Sequence, residues 1–304
     1  MRLKYKDIER RFKVPANGKI RLKDFDPAWI GNKELRVAPK GELKARASAY
    51  LKDNLTALTE AQGALWANDR HAVLVVLQAM DGAGKDGVIR HVMGGVNPQG
   101  CQVFSFKKPS DEELDHNFLW RYTLALPERG RIGIFNRSYY EDVLVVRVHP
   151  AILERQKLPA ELLGKSLWKD RFDDINAFER HLVRNGTVVL KFFLHMSKKE
   201  QRKRFLARLD DPAKNWKFSD ADIDEREHWN DYQAAFEDAI NHTSTKCAPW
   251  WVVPADNKWV TRSLISSVIT HSIEALGLKM PVVSTVRQQE LVEARQRLGG
   301  EASP

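Results

Sequence analysis

The chain is nearly without cysteine. Cys101 and Cys247 stand far apart, outside any C-x-x-C or Cys/His spacing, which excludes a disulfide scaffold and a cysteine-based zinc site. Nine histidines are scattered without an H-E-x-x-H pattern, so the zinc-hydrolase signature is missing as well. No apolar run approaches the roughly 18 residues that a membrane-spanning helix needs, and mean hydropathy is −0.47. Residues 1–17 carry charges but no apolar segment of a secretory signal. Internal repeats and low-complexity tracts are absent. These absences point to a cytoplasmic protein with reduced thiols. Its 304 residues suffice for one large α/β domain or two small ones.

Excess acid is missing too. The net charge is +9 and the isoelectric point about 9.4, so an anionic partner is expected. Nucleic acid, acidic lipid and polyanionic small substrates all fit, and charge alone does not choose among them.

Residues 1–40, rich in Lys, Arg and Pro, read as an extended arm that packs on the main domain. From 41 to 68, apolar residues recur at three-to-four spacing (Leu43, Ala47, Tyr50, Leu51, Leu55, Leu58, Leu65), which predicts a long amphipathic helix. Strands and helices then alternate. Strands are expected at 72–78, 101–106, 131–136, 187–195 and 250–255. Helices are expected at 85–93, 111–126 with Ser110 as N-cap, 166–184, from 198 with Ser197 as N-cap, 220–241 and 259–276. Such alternation predicts an α/β fold with a parallel sheet covered on both faces. The main domain is expected over 41–283, with an inserted lid at about 198–225. The polar tail, 284–304, is expected to end in disorder.

The stretch LQAMDGAGKDG (77–87) resembles the phosphate-binding loop G-x-x-x-x-G-K-[ST], with Ala79 at the first position and Asp86 at the last. A Gly-rich loop between a buried strand and a helix aims backbone N–H groups and the positive helix end at phosphate. Gly82, Ala83, Gly84 and Lys85 fall where that cradle requires them; a tight strand-to-helix turn is the bland alternative. Two acids in such a loop make sense if it serves Mg²⁺, which is held by one or two carboxylates plus substrate phosphates. Asp86 occupies the usual metal-facing position, although a helix's first turn also favours an acid. Asp81, inside the cradle, would be repelled by phosphate unless a cation or a transferable proton lay between them. It therefore reads as a metal ligand or a general base.

The third strand ends in Asn136-Arg137-Ser138, where P-loop enzymes present a metal-binding acid beside the phosphate loop. The amide of Asn136 is a weaker ligand, and Arg137 is placed to contact a transferring phosphoryl group. Residues 198–217 carry eight bases against three acids, Lys214 and Lys217 among the bases. Arg204 and Arg208, at i,i+4, share one helical face. Either this is a solvated surface paired with the acidic stretch after it, or it is a cationic lid that closes over phosphates. Lys107, Lys108 and Arg121 near the end of the second strand would share a rim with Lys85 and Arg137. That is more positive charge than one nucleotide needs; a long polyanion would explain it, and so would a solvated basic face.

Together AMDGAGKDG, FNRSYYEDV, KFFLHMSKKEQRKRFLARLDDPAKNWK, APWWVVPADNKW and the arm VPANGKIRLKDFDP resemble the polyphosphate kinase 2 family over about residues 12–280. The resemblance implies a three-layer α/β/α P-loop kinase fold with a helical lid. It implies Mg²⁺-dependent transfer between inorganic polyphosphate and AMP, ADP or ATP, and a dimer or tetramer. It matches Asp81 to the acid that activates the acceptor or binds Mg²⁺, Lys85 to the lysine that holds the transferring phosphate, and Arg137 to the arginine of the second motif. Arg204 and Arg208 match the lid arginines. Many members have F-D-R-S where this chain has Phe135-Asn136-Arg137-Ser138, so the second metal ligand falls to Asn136 or passes to Glu141. The pairing of F-N-R-S with Tyr140-Glu141-Asp142 looks like the subclass that accepts both AMP and ADP. Two other readings compete. One is an ATP-dependent nucleoside or nucleotide kinase of the same fold, against which Asp86 counts. The other is a basic nucleic-acid-binding protein, which would need interleaved aromatics on a continuous basic face.

Overall fold

The unbroken apolar run AVLVVLQ forms β1 (Ala72–Gln78), buried along its whole length at the centre of a parallel sheet. The computed structural model describes residues 4–16, 18–31, 38–213 and 215–299. Around β1 the strand order is β2 (Cys101–Ser105), β3 (Ile132–Asn136), β1, β4 (Thr187–His195) and β5 (Trp250–Pro254), with every pairing parallel. The helices in chain order are α1 (Tyr5–Phe12), α2 (Lys40–Asn68), α3 (Lys85–Val92), α4 (Asp111–Asp115), α5 (Trp120–Thr123), α6 (Val145–Val148) and α7 (Pro150–Glu154). They continue with α8 (Leu167–Arg184), α9 (Lys198–Leu209), α10 (Ala221–Glu227), α11 (Trp229–Thr243), α12 (Lys258–Glu274) and α13 (Thr285–Gly299).

A strand buried on both faces sends alternate side chains to opposite layers. Val73, Val75 and Leu77 join a core with α1, α2, α3 and α12, whereas Leu74 and Val76 join one with α8 and α11. This is the expected three-layer α/β/α arrangement. The chain leaves β1 toward the β2 edge and leaves β3 toward β4 on the other side. The loops after β1 and β3 therefore meet at the carboxyl ends of adjacent strands, the crevice where open α/β sheets bind ligands.

Three expectations need correction. The arm is not simply extended: it opens with α1, whose Ile8 and Phe12 are buried. It then crosses the β5 edge, where Val14 N–H donates to the Trp250 carbonyl at 2.8 Å. The helix expected over 111–126 is two short pieces. Ser110 does close a capping box with Glu113, but the Asn117 carboxamide accepts from Leu119 N–H at 3.1 Å and replaces a helical turn by a local one. The helix expected over 220–241 is likewise divided, at His228, into α10 and α11. In the tail, residues 285–299 form α13, exposed throughout; the end expected to be disordered, 300–304, lies outside the described residues.

Candidate active site

The loop after β1 turns on two glycines in the left-handed region, Gly82 at φ +83° and Gly84 at φ +103°. Gly84 is the N-cap of α3, so the chain enters the helix with its N–H groups facing the crevice. Gly82 must also be small, because Phe205 Cε1 of α9 stands 3.0 Å from where a side chain would begin. Lys85, 9% exposed, folds back and donates from Nζ to the Ala79 carbonyl at 3.0 Å. Only a backbone oxygen is used at position 79, so alanine serves there.

Arg137 leaves β3 at φ +66°, a costly conformation for a long side chain. Its N–H donates to the Leu77 carbonyl at 3.1 Å, tying the two loops together at their roots. The guanidinium donates to Asp81 Oδ1 at 2.9 Å and stands 3.8 Å from Glu141. Asp81 also lies 3.9 Å from Lys85 Nζ. Burial pushes the Asp81 carboxyl up, but Lys85 and Arg137 together outweigh it and hold the group below its ordinary value. Burial pulls Lys85 down, with Asp81 opposing. Glu141, ahead of Asp81, drives Arg137 up. A carboxylate held below its ordinary value is a weaker proton acceptor, which favours metal binding or positioning over a general base at Asp81.

Asn136 donates from Nδ2 to Asp86 Oδ1 at 2.9 Å, joining the end of β3 to the first turn of α3. Asp81, Lys85, Asp86, Asn136, Arg137 and Arg208 line one cleft of about 520 Å³, which Lys107 and Lys108 extend. On the far side of Asp81 a smaller pocket is walled by Glu141, Asp222, Glu225 and Tyr232.

Arg204 and Arg208 share a helical face but have different fates. Arg204 is buried and donates to the carbonyls of Gly82, Ala83, Ala255 and Asp256 at 2.6–3.1 Å, so it braces the phosphate loop from behind. Arg208 reaches the cleft, where Asp222 holds it at 3.3 Å. The structure does not bring Arg121 to this rim. Its guanidinium is packed over Phe106 and Tyr122 and donates to the Lys107 carbonyl at 2.9 Å, so it fixes the chain that carries Lys107. Lys214 and the side chain of Lys217 lie outside the described residues.

Three partners escaped the sequence. Gln201 donates to the Asp81 carbonyl at 2.8 Å, docking α9 onto the loop. Gln78 donates to Glu141 at 3.0 Å from within β1. Asp222 faces both clefts. Gln78 and Gln201 stand inside the quoted stretches at positions those motifs give no role, Asp222 lies outside them, and only the fold brings each one in.

The profile of the family described as "Polyphosphate kinase 2 (PPK2)" matches residues 42–280. The chain belongs to the polyphosphate kinase 2 family. It is 52% identical over 286 residues to the "ADP-polyphosphate phosphotransferase" of Rhodopseudomonas palustris, covering 92% of this chain and 99% of the relative. It is 41% identical over 288 residues to the "AMP/ADP-polyphosphate phosphotransferase" of Meiothermus ruber, covering 93% and 100%. The crystal structure of Polyphosphate Kinase 2 from Arthrobacter aurescens superposes with a TM-score of 0.83 at 36% identity, over 94% of this chain and 96% of that one. For this polyphosphate kinase 2 member, the phosphate loop, Arg137 and α9 thus lie on a fold shared along nearly the whole chain.

Proposed function

We propose that the protein transfers the terminal phosphoryl group of inorganic polyphosphate to AMP and ADP, reversibly and with Mg²⁺. The observation that carries this reading is the cleft itself. Lys85, Arg137 and Arg208 converge on the N-terminal end of α3, and Lys107 and Lys108 continue the positive charge outward, as a chain of phosphates requires. The two relatives' names supply the acceptors, ADP for one and AMP or ADP for the other.

The chain's own residues hold reactants and neutralise charge, which is most of what phosphoryl transfer asks of a protein. The N–H groups of the loop hold the donor's oxygens. Lys85 exchanges the Ala79 carbonyl for a phosphate oxygen, and Arg137 and Arg208 meet the charge of the group in flight. An acceptor phosphate is already ionised, so no general base is needed, in keeping with the depressed Asp81. Mg²⁺ fits the donor set: Asp81 and Asp86 supply hard oxygens at one wall of the cleft, with Asn136 or Glu141 beside them. Among the described residues no group of three or more His, Cys, Asp or Glu is arranged to hold a metal. Asp81 and Asp86 would hold such an ion, and when bound it would supply positive charge against the phosphates. The acceptor nucleoside finds room in a pocket of about 500 Å³ beyond the Glu141–Asp142 corner, where Phe118, Leu119 and Leu162 meet Asp142 and Gln156. A cytoplasmic homo-oligomer, dimer or tetramer, completes the proposal.

The test uses purified protein, Mg²⁺ and polyphosphate, with AMP or ADP as acceptor and no added ATP, beside Asp81→Asn. ADP and ATP formed from AMP, and lost in the variant, support the reading. ATP formed from ADP alone removes AMP from it. No transfer from polyphosphate, with phosphorylation of a nucleoside or nucleotide by ATP instead, overturns it in favour of an ATP-dependent kinase. Light scattering during gel filtration reads the oligomer.

A further inference from the structure

Beneath the corner that carries Arg137 lies an ion pair that no substrate could reach. Glu179 of α8 and Lys191 of β4 are both 0% exposed, with 2.6 Å between Oε2 and Nζ. Every polar atom of the pair is used. Glu179 Oε1 accepts from the hydroxyls of Tyr139 at 2.8 Å and Tyr140 at 2.9 Å. Lys191 Nζ donates to the Tyr140 hydroxyl at 2.9 Å and to the Thr243 carbonyl of α11 at 2.7 Å. Burial pushes Glu179 up and Lys191 down, and each opposes that drift in the other.

A buried pair is a poor way to gain stability, because well-packed apolar residues would serve as well or better. What apolar residues cannot do is hold two adjacent tyrosine hydroxyls at one point. Tyr139 and Tyr140 sit in the five-residue turn Tyr139–Val143. Just before that turn is Arg137 with its positive φ, and within it are Glu141, beside the phosphate cleft, and Asp142, in the proposed nucleoside pocket.

We infer that Glu179 and Lys191 are positioning residues for the phosphoryl-transfer site: through Tyr139 and Tyr140 they clamp the 137–142 corner. The clamp keeps the Arg137 guanidinium aimed at the transferring group and keeps Glu141 and Asp142 facing their two pockets. Without it the strained backbone at Arg137 relaxes and the guanidinium leaves the in-line geometry, where a displacement of about 1 Å is enough to slow transfer markedly. The inference rests on the function proposed above.

The test measures kcat and KM for polyphosphate-dependent ATP formation from ADP in Tyr139→Phe, Tyr140→Phe and the double variant Glu179→Leu/Lys191→Met, with thermal unfolding followed by circular dichroism. Each phenylalanine removes one hydroxyl from the clamp and keeps the aromatic packing, so both should fold, with a lowered melting temperature because a buried charge loses one partner. The expected result is a fall in kcat of about tenfold in at least one of them, with KM for both substrates changed less than about twofold. A folded double variant should lose at least as much. Unsubstituted kcat in both phenylalanine variants overturns the inference, as does unsubstituted kcat in a folded double variant or a change confined to KM. If the double variant does not fold, the phenylalanine pair decides. Absence of transfer by the unsubstituted protein in the same assay would instead overturn the function, so the two failures are distinguishable.

Discussion

Asp81 meets Arg137 at 2.9 Å and Lys85 at 3.9 Å, and this company makes an acid tolerable inside a phosphate cradle. Its charge is present at any pH above the ordinary carboxylate range and is lost only as pH falls through its depressed value. Asp81→Asn keeps the shape and removes the charge, so kcat should fall by about a hundredfold or more while the fold persists; steady-state kinetics beside a circular-dichroism spectrum checks both. Asp142 behaves in the opposite way. Burial, opposed by Arg171 and Gln156, pushes its carboxyl from 3.8 to about 6. At this group the folded state therefore binds a proton more tightly than the unfolded chain does, and its contribution to stability falls as pH rises from about 4 to about 6. The size of that contribution is on the order of 3 kcal/mol. Asp142→Asn should make stability fall less steeply over that range in urea unfolding measured between pH 4 and 7. The contrast between Arg204 and Arg208 belongs to this scale too. Both are arginines on one face of α9, and nothing in their local sequence separates the brace from the cleft-facing cation.

At the scale of elements, α9 has two jobs. Its N-terminus is capped by Ser197, whose hydroxyl accepts from Glu200 N–H at 3.1 Å and donates to Asp256 at 2.8 Å. Its body presses Phe205, Gln201 and Arg204 onto the phosphate loop, while Arg208 faces the cleft. Arg204→Ala should therefore cost stability, because it leaves four backbone carbonyls without their charged donor. A loss of about 3 kcal/mol in urea unfolding is expected. Arg208→Ala should cost less stability than Arg204→Ala and lower kcat, since its half-buried side chain makes one ion-pair contact, to Asp222 at 3.3 Å, rather than four backbone hydrogen bonds. Equal effects of the two substitutions on stability would contradict the different placements. The capping of α9 and the apolar run of β1 were readable because their causes are local. The broken helix at 116–119 was not, because the three-to-four spacing of apolar residues continues across it while Asn117 ends the turn.

For the whole molecule, the two ends of the chain differ in what they contribute. Ile8, Phe12 and Val14 are buried against the sheet and α12, at roughly 1.5–3 kcal/mol for each such side chain. Deletion of residues 1–16 should destabilise the protein by about 5 kcal/mol. Deletion of 285–304 should leave thermal unfolding unchanged, because α13 buries nothing. Differential scanning calorimetry of the two truncated chains separates these outcomes.

Fold class, the phosphate loop and the identity of its acids and bases were determined by the sequence alone. Strand-helix alternation, glycine at left-handed positions and helix capping are written within a few residues of where they act. The tertiary structure decided which bases face the cleft, which way each carboxyl's proton affinity moves, and what lies beneath Arg137. Glu179 and Lys191 meet across α8 and β4, and Tyr139 and Tyr140 reach them from a turn with no periodic pattern. Their hydrogen bonds and their burial exist only once the layers have packed, because charge placement and desolvation depend on distance in space.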